Sequence, residues 1–387
     1  MRIKLITIAI LFLVFLSCHN NNYKETEKVK SIKINPSKGQ SISIEEFATE
    51  LTFLKLETSQ RSLFSNINKI VVNKLGIFIL DKYDTRKVFH FSSNGKFINS
   101  IGMAGKGNGE YILPTDFLVN EKNQHVEIVD NFTRSNYFYD IDGNFIKRIH
   151  YKDYRITSFI HIPNSYYLIK LGDNKGLSFE NSHFIITNDQ MNKAKVEFCP
   201  VEYDCDLINI NPFSNSFKNK LFFTYGFDNM IYEFMDNTAT PRYKVDFGEK
   251  ELNHEDLNHG DKYVISRLMS QDRSGYINNL IYTGNELFFN FLYNKDNFLY
   301  VFNINSENSV LISKLRLNNE FQLQNRLLAI YDGYIIMKID ASQLCKQGHE
   351  GAPITQNKSY GFLTIDELKE NVKPGDNPIL ILFKTEI

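Results

Sequence analysis

The chain has 387 residues, enough for two ordinary domains or one large repeat-built domain. Hydrophobic residues make up 42 % and charged residues 23 %, the balance of a folded globular protein. A formal net charge of -1 excludes a strong single-sign field, so composition points to no nucleic-acid partner.

Arg2 and Lys4 open the chain with positive charge, and Leu5 to Leu16 is apolar apart from Thr7. This reads as an export signal that stands outside the fold. It is shorter than an ordinary spanning helix. Cys18 follows directly behind the small residue Ser17. The arrangement resembles a bacterial lipobox, in which cleavage before the cysteine frees it for acylation. Phe15 and Leu16 stand where leucine and a small residue are usual. A plain signal peptide cut elsewhere, or an uncleaved anchor, is the alternative. Residues 1–17 are therefore read as a lipoprotein signal peptide and Cys18 as the lipid anchor. Two or three acyl chains hold a protein at a membrane where one does not. Removing Arg2 and Lys4 leaves 42 basic residues against 45 acidic ones, a net charge of -3. Residues 18–44, with the polar run "HNNNYKETEKVK", read as a flexible tether. No Asp follows Cys18, so the expected location is the outer membrane.

The fold begins at about residue 45. "TRKVFHFSSNGKFINSI" (85–101) lies over "TRSNYFYDIDGNFIKRI" (133–149) at a constant offset of 48. Thr85 and Arg86 match Thr133 and Arg134, and Phe89 and Phe91 match Tyr137 and Tyr139. Upstream, "IFILD" ending at Asp81 parallels "VEIVD" ending at Asp130, with the offset slipped to 49. The slip is expected in the turn between strands. Each unit then reads as a strand ending at Asp, a turn, and a second strand with aromatics on one face. Asn94-Gly95 or Asp142-Gly143 turns the chain into a third strand. A period in the forties with several antiparallel strands per unit is the signature of a propeller blade.

Four glycines crowd "IGMAGKGNGEY" (101–111). A phosphate-binding loop would need Lys-Ser/Thr opening a helix, and a dinucleotide site G-x-G-x-x-G between strand and helix. Neither is present, and Pro114 disfavours helix just before it. Gly105, Gly107 and Gly109, like Gly95 and Gly143, are assigned to structural turns. No cofactor is expected.

Further along, "LFFTYGFDNMIYEF" (221–234) matches "LFFNFLYNKDNFLYVF" (287–302), with two residues inserted in the later copy. "SYYLIKLGDN" (165–174) and "GYIIMKIDAS" (333–342) supply strands of two more units. Residues 248–275 read as a helical insertion, with apolar positions Leu252, Leu257, Val264, Ile265 and Leu268. Residues 341–372 read as a loop with a short helix. Allowing for both insertions, the span from Thr52 to Ile387 holds nearly six units of 48. Ring closure is expected to pair "TFLKLE" (52–57) with "NPILILFKTE" (377–386) in one blade, which removes exposed sheet edges.

"FSSNGKFINSIGMAGKGNGEYILPTDF" and the ending "DNPILILFK" are similar to the six-bladed β-propeller lipoproteins of Bacteroidetes, relatives of NHL-type propellers. Their recurrent segment runs FD-x-x-G-x-F, then I-G, then G-x-G-P-G-E-Y. Here Ser92 replaces the Asp and Asn108 the Pro, while Gly105, Gly107, Gly109, Glu110 and Tyr111 agree. The resemblance spans residues 45–387. It implies an all-β, six-bladed β-propeller and export, and it carries over no catalytic residue.

Candidate chemistry is sparse. His254 and His259 in "NHEDLNHGD" are five apart, off one helical face, and no metal site is assigned. Cys199 and Cys205 either pair or, with Cys345, remain thiols. Asp81 with Arg86, and Asp130 with Arg134, recur in adjacent units. Their repetition favours a structural Asp–Arg ladder. The other reading has them line a polar pocket at the channel mouth, together with Tyr83. No catalytic group is nominated. The preferred function is a non-catalytic module at the cell envelope that binds a glycan, a peptide or an envelope protein. A propeller hydrolase or lyase acting on glycans is one alternative, by fold analogy alone. A sensor or assembly partner using the helical insertion is another.

Overall fold

Alternating aromatic and branched residues in strands buried on both sides demand stacked sheets, and that is the architecture found. The computed structural model describes residues 29–200, 211–216, 220–225, 227, 229–252, 254–270, 273–345, 361–362 and 364–386. Cys18, Cys205 and the signal stretch read at residues 1–17 lie outside them. The strands form six antiparallel-cored sheets, the blades of a β-propeller.

The first blade comprises Lys69–Asn73, Gly76–Asp81, Lys87–Phe91 and Phe97–Ile101. The second comprises Asp116–Asn120, His125–Asp130, Ser135–Asp140 and Phe145–His150. The third holds Ile156–Ile162, Tyr166–Leu171, Ser182–Asn188 and Ala194–Pro200. The fourth is built on Leu221–Phe223, Met230–Met235 and Thr238–Asp246. The fifth has Ser274–Tyr282, Glu286–Tyr293, Asp296–Asn303 and Ser309–Leu317. In the sixth, Ile379–Thr385 lies between Tyr334–Ile339 and Ala48–Lys55. Ile381 faces Phe53 there, and Leu380 faces Leu54. The ring thus closes with strands from both ends of the chain, as the sequence predicts.

The repeat alignments hold at the level of register. Ile79 pairs with Phe89, and Ile128 with Tyr137, so the slip from 49 to 48 does fall in the intervening turn. Leu221 pairs with Phe234 and Phe223 with Tyr232 in the fourth blade. Leu287 pairs with Phe302 and Phe289 with Tyr300 in the fifth. The third-strand turns differ in detail from a two-residue hairpin. Ser92–Lys96 is a five-residue connection, with Gly95 N–H donating to Ser92 O and only Gly95 at positive φ, 84°. A Cβ at Gly95 would lie 2.3 Å from Lys55 O in the sixth blade, so glycine is also required by close approach.

The core is a set of layers between neighbouring blades. Phe78, Leu80 and Val88 of the first blade meet Phe117, Ile128 and Tyr137 of the second. Val129 and Phe138 of the second meet Phe159, Ile169 and Ile185 of the third. The opposite face of the first blade, with Ile79 and Phe89, meets Ile336 and Leu380 of the sixth. Every residue of Gly76–Asp81 is consequently buried.

The glycine-rich stretch crosses from the first blade to the second. Gly107 N–H donates to the Glu110 carboxylate at 2.7 Å, and Gly105 N–H donates to Tyr111 O. A Cβ at Gly105 would fall 2.0 Å from the same carboxylate. Tyr111 is fully buried and donates to Arg86 O at 2.7 Å. The crossing is a plug between blades.

One expectation is corrected. The sequence reads residues 18–44 as a flexible tether; 18–28 lie outside the described residues, but Lys30–Lys33 pairs in parallel with Tyr243 to Asp246 of the fourth blade. Gln40–Ser43 pairs in parallel with the last strand of the fifth. Short polar segments such as "KSIK" and "QSIS" carry little strand signal, and the exposed edges of two blades decide their conformation.

The helical insertion forms His254–Leu257 and Asp261–Ser270. Leu252, Leu257, Val264 and Leu268 bury together with Phe227, while Ile265 is exposed. The insertion packs on the fifth blade through Leu292. His259 Nδ1 lies 2.7 Å from Glu255 O, and Asp256 pairs with Arg267 at 3.1 Å, so this stretch is an ordinary helix-helix corner.

The third blade buries a cation beside a histidine. Lys170 Nζ lies 3.2 Å from His183 Nδ1 and donates to Leu171 O. Burial, and then the Lys170 charge, push the His183 pKa down to about 3 from 6.5. The unfolded chain therefore binds a proton below pH 6.5 that the folded chain refuses until about pH 3. Stability is fully present above pH 6.5 and falls as pH drops towards 3, at up to ~1.4 kcal/mol per pH unit. His183→Gln should flatten this part of the acid limb in urea melts at stepped pH. An unchanged slope would contradict the assignment.

Candidate functional site

The first strands of neighbouring blades touch one another, so their leading residues ring the central channel. At one mouth they surround a cavity of about 230 Å³. Its lining comes from the first blade (Lys69, Lys82, Tyr83), the second (Asp116), the fifth (Asn278, Asn279) and the approach to the sixth (Arg326).

Lys69 and Asp116 occupy the same position in adjacent blades, at the head of "KIVVN" and "DFLVN". They pair at 2.7 Å. The second oxygen of Asp116 accepts from Ser158 Oγ and Phe159 N of the third blade. This carboxylate is buried and saturated, and it cancels the Lys69 charge.

Two cations remain. Lys82 lies over the Tyr83 ring at 5.2 Å. Arg326 is partly buried and donates to Asn68 O at 3.3 Å. Neither has a carboxylate partner among the described residues. Burial lowers the Arg326 pKa, but a guanidinium stays charged at any physiological pH. Among the lining residues the cations Lys69, Lys82 and Arg326 thus outnumber the one carboxylate, Asp116, by two.

The fifth-blade wall is strained. Tyr276 and Asn279 have positive φ, 62° and 49°, and the strand slips register twice around Asn278. Asparagines hold this shape. Asn279 donates to Asn278 and Asn290, and Asn290 donates to Asn325 O. Asn325 spans four backbone groups, from Ile312 to Leu315 and at Asn297, immediately before Arg326. Backbone strain of this kind costs about 1–3 kcal/mol per residue and clusters at functional sites.

The structure separates the residues singled out from sequence. Tyr83 lines the mouth and is 57 % exposed. Asp81 and Asp130 are fully buried and outside the cavity lining. Asp81 accepts from Ser65 N, Asp84 N and Thr85 N. Asp130 accepts from Ile112 N, Phe132 N and Thr133 Oγ1. They fasten the loop after the second strand of each blade. Arg86 and Arg134 both sit at positive φ, 54° and 48°, where that loop ends. Arg134 donates to Lys152 O at 2.7 Å, and no Asp–Arg ion pair joins either couple among the described residues. The two aspartates are thus a structural repeat, and the arginines do not line the cavity.

Lys69, Lys82, Asp116, Asn278, Asn279 and Arg326 were missed. One signal was available: equivalent strand heads carry opposite charges, Lys69 and Asp116, which a repeat alignment extended upstream would expose.

A family model described as "Domain of unknown function (DUF4934)" matches residues 29–384. No curated protein matches the chain. Among solved structures, the chain is similar to a "Putative exported protein" from Bacteroides fragilis, at 18 % identity and a TM-score of 0.74. That match covers 93 % of this chain and 100 % of the other. A DUF4221 family member from Bacteroides vulgatus matches at 10 % identity and TM-score 0.49, over 88 % and 97 % of the two chains. A virginiamycin B lyase from Staphylococcus aureus matches at 13 % identity and TM-score 0.44, over 87 % and 99 %.

Proposed function

We propose, from the premise that this chain belongs to the DUF4934 family, that it is an exported, lipid-anchored binding module. Its channel mouth takes a small acidic saccharide. The observation that carries this reading is the pairing of Lys82 and Arg326 with exposed Tyr83 around a saccharide-sized cavity. The cations suit a carboxylate. The asparagine side chains suit hydroxyl groups, and a tyrosine face suits a sugar ring. Asp116 is the one carboxylate in the lining, and its ties to Lys69, Ser158 and Phe159 leave it unsuited to proton transfer. That favours binding over hydrolysis.

Export and anchoring rest on the signal stretch and Cys18, with the name of the Bacteroides fragilis protein as support. The first strand pairing among the described residues is at Lys30, 12 positions after Cys18. At about 3.3–3.6 Å per residue the chain holds the propeller within roughly 40 Å of the bilayer. In this reading the outer membrane is the site of anchoring. Cys18→Ser should move the protein from the membrane to the soluble fraction. Retention in the membrane would contradict the anchor.

The ligand is tested by thermal shift against glucuronate and galacturonate oligosaccharides, their neutral counterparts and acidic peptides. A ligand at 100 times its Kd stabilises the fold by about 2.7 kcal/mol. Acidic saccharides should shift Tm while neutral ones do not. A shift with acidic peptides alone would replace the saccharide by a peptide. No shift with any acidic compound would overturn the reading.

A further inference from the structure

At the far end of the same strands, the second and third blades bring together His125, Glu127 and His161. His125 and Glu127 alternate on one strand, so both point towards the third blade. Glu127 is fully buried. Its Oε1 lies 2.9 Å from His125 Nε2 and 2.7 Å from His161 Nε2. Its Oε2 accepts from Asn136 Nδ2 at 2.8 Å and from the Tyr167 hydroxyl at 2.7 Å. The rings are held from the side: His125 sits edge-on to Phe138 at 5.5 Å, and His161 packs on Tyr167 at 4.6 Å. One oxygen is fixed by two neutral donors, and the other is left to two converging imidazoles.

We propose that these three side chains are a binding site for a divalent transition metal, with zinc as the reference ion. The three donor atoms lie within 4.8 Å of one another. Two imidazole nitrogens and a carboxylate oxygen are a donor set for zinc and its neighbours, not for calcium or magnesium. Asn136 and Tyr167 are the outer partners that orient a ligating carboxylate. His161 also lines a cavity of about 630 Å³ between the third and fourth blades, with Lys220, Phe234 and Asn237. Three protein donors leave a fourth position of a tetrahedral ion for water or an anionic ligand. The competing arrangement is a structural knot of two imidazole N–H groups on one carboxylate.

The test is calorimetric titration of the full chain, stripped with chelator, with Zn²⁺ alone. Binding of one equivalent with sub-micromolar Kd is expected. His161→Ala, on the exposed side of the cluster, should weaken it at least about 100-fold, and Tyr167→Phe about 10- to 100-fold. Cobalt bound in its place should give the visible absorption of a nitrogen- and oxygen-ligated ion, a readout independent of any variant's folding. Lys82→Gln and Arg326→Gln should leave zinc binding unchanged, which separates this site from the channel mouth. Absence of stoichiometric binding, or equal binding by His161→Ala, would overturn the proposal.

Discussion

Asp130→Ala is expected to destabilise the propeller by about 2–4 kcal/mol. The carboxylate is fully buried and accepts two backbone N–H groups at 2.8 Å, from Ile112 and Phe132. Alanine leaves both donors without this partner in a partly buried loop, and an unsatisfied group costs up to about 1–3 kcal/mol according to how far it is shielded from water. It also frees Thr133 Oγ1, which links the aspartate to Tyr137. Asp81→Ala should cost less, because two of its three contacts stretch to 3.4 Å. Arg134→Ala should change stability by under about 1 kcal/mol, since its guanidinium meets an exposed carbonyl, not a carboxylate. Urea melts of the three variants decide the matter. If Arg134→Ala costs as much as Asp130→Ala, the arginine shares in a ladder after all.

Arg326→Gln is expected to abolish most acidic-saccharide binding, weakening Kd by at least about 30-fold. A desolvated charged hydrogen bond to a ligand carries about 2–5 kcal/mol when one partner is removed. Stability of the free protein should stay level or rise. The guanidinium is partly buried with a carbonyl at 3.3 Å as its partner, so folding leaves its charge poorly compensated. Losing binding without losing stability is the mark of a site held ready for a ligand. Titration calorimetry on wild type and variant, beside their melts, measures both. A variant that binds as tightly as wild type would remove Arg326 from the site.

The fold was legible because the blade is a local object. Phe89, Phe91, Tyr137 and Tyr139 sit at alternate positions, and the Asp81 and Asp130 strand ends recur at nearly constant spacing. Closure was legible too, since an apolar run at each end of the domain needs a partner. The edge strands at Lys30–Lys33 and Gln40–Ser43 were not, because their pairing is parallel and tertiary. The site was hardest to read. Lys82, Asn279 and Arg326 come from three different parts of the ring and meet only when it closes. Repetition instead drew attention to Asp81 and Asp130, whose recurrence reflects the loop they brace. Tyr83 lies in that loop and also lines the cavity. His125 and His161 are 36 positions apart on separate blades, and nothing between them marks the contact.

The most direct measurement is diffraction from crystals of the chain grown with the acidic saccharide that shifts Tm most. The account predicts density in the channel mouth, with a carboxylate against Arg326 and Lys82 and a sugar ring over Tyr83. A saccharide bound elsewhere on the propeller, with the mouth left to solvent, would contradict it.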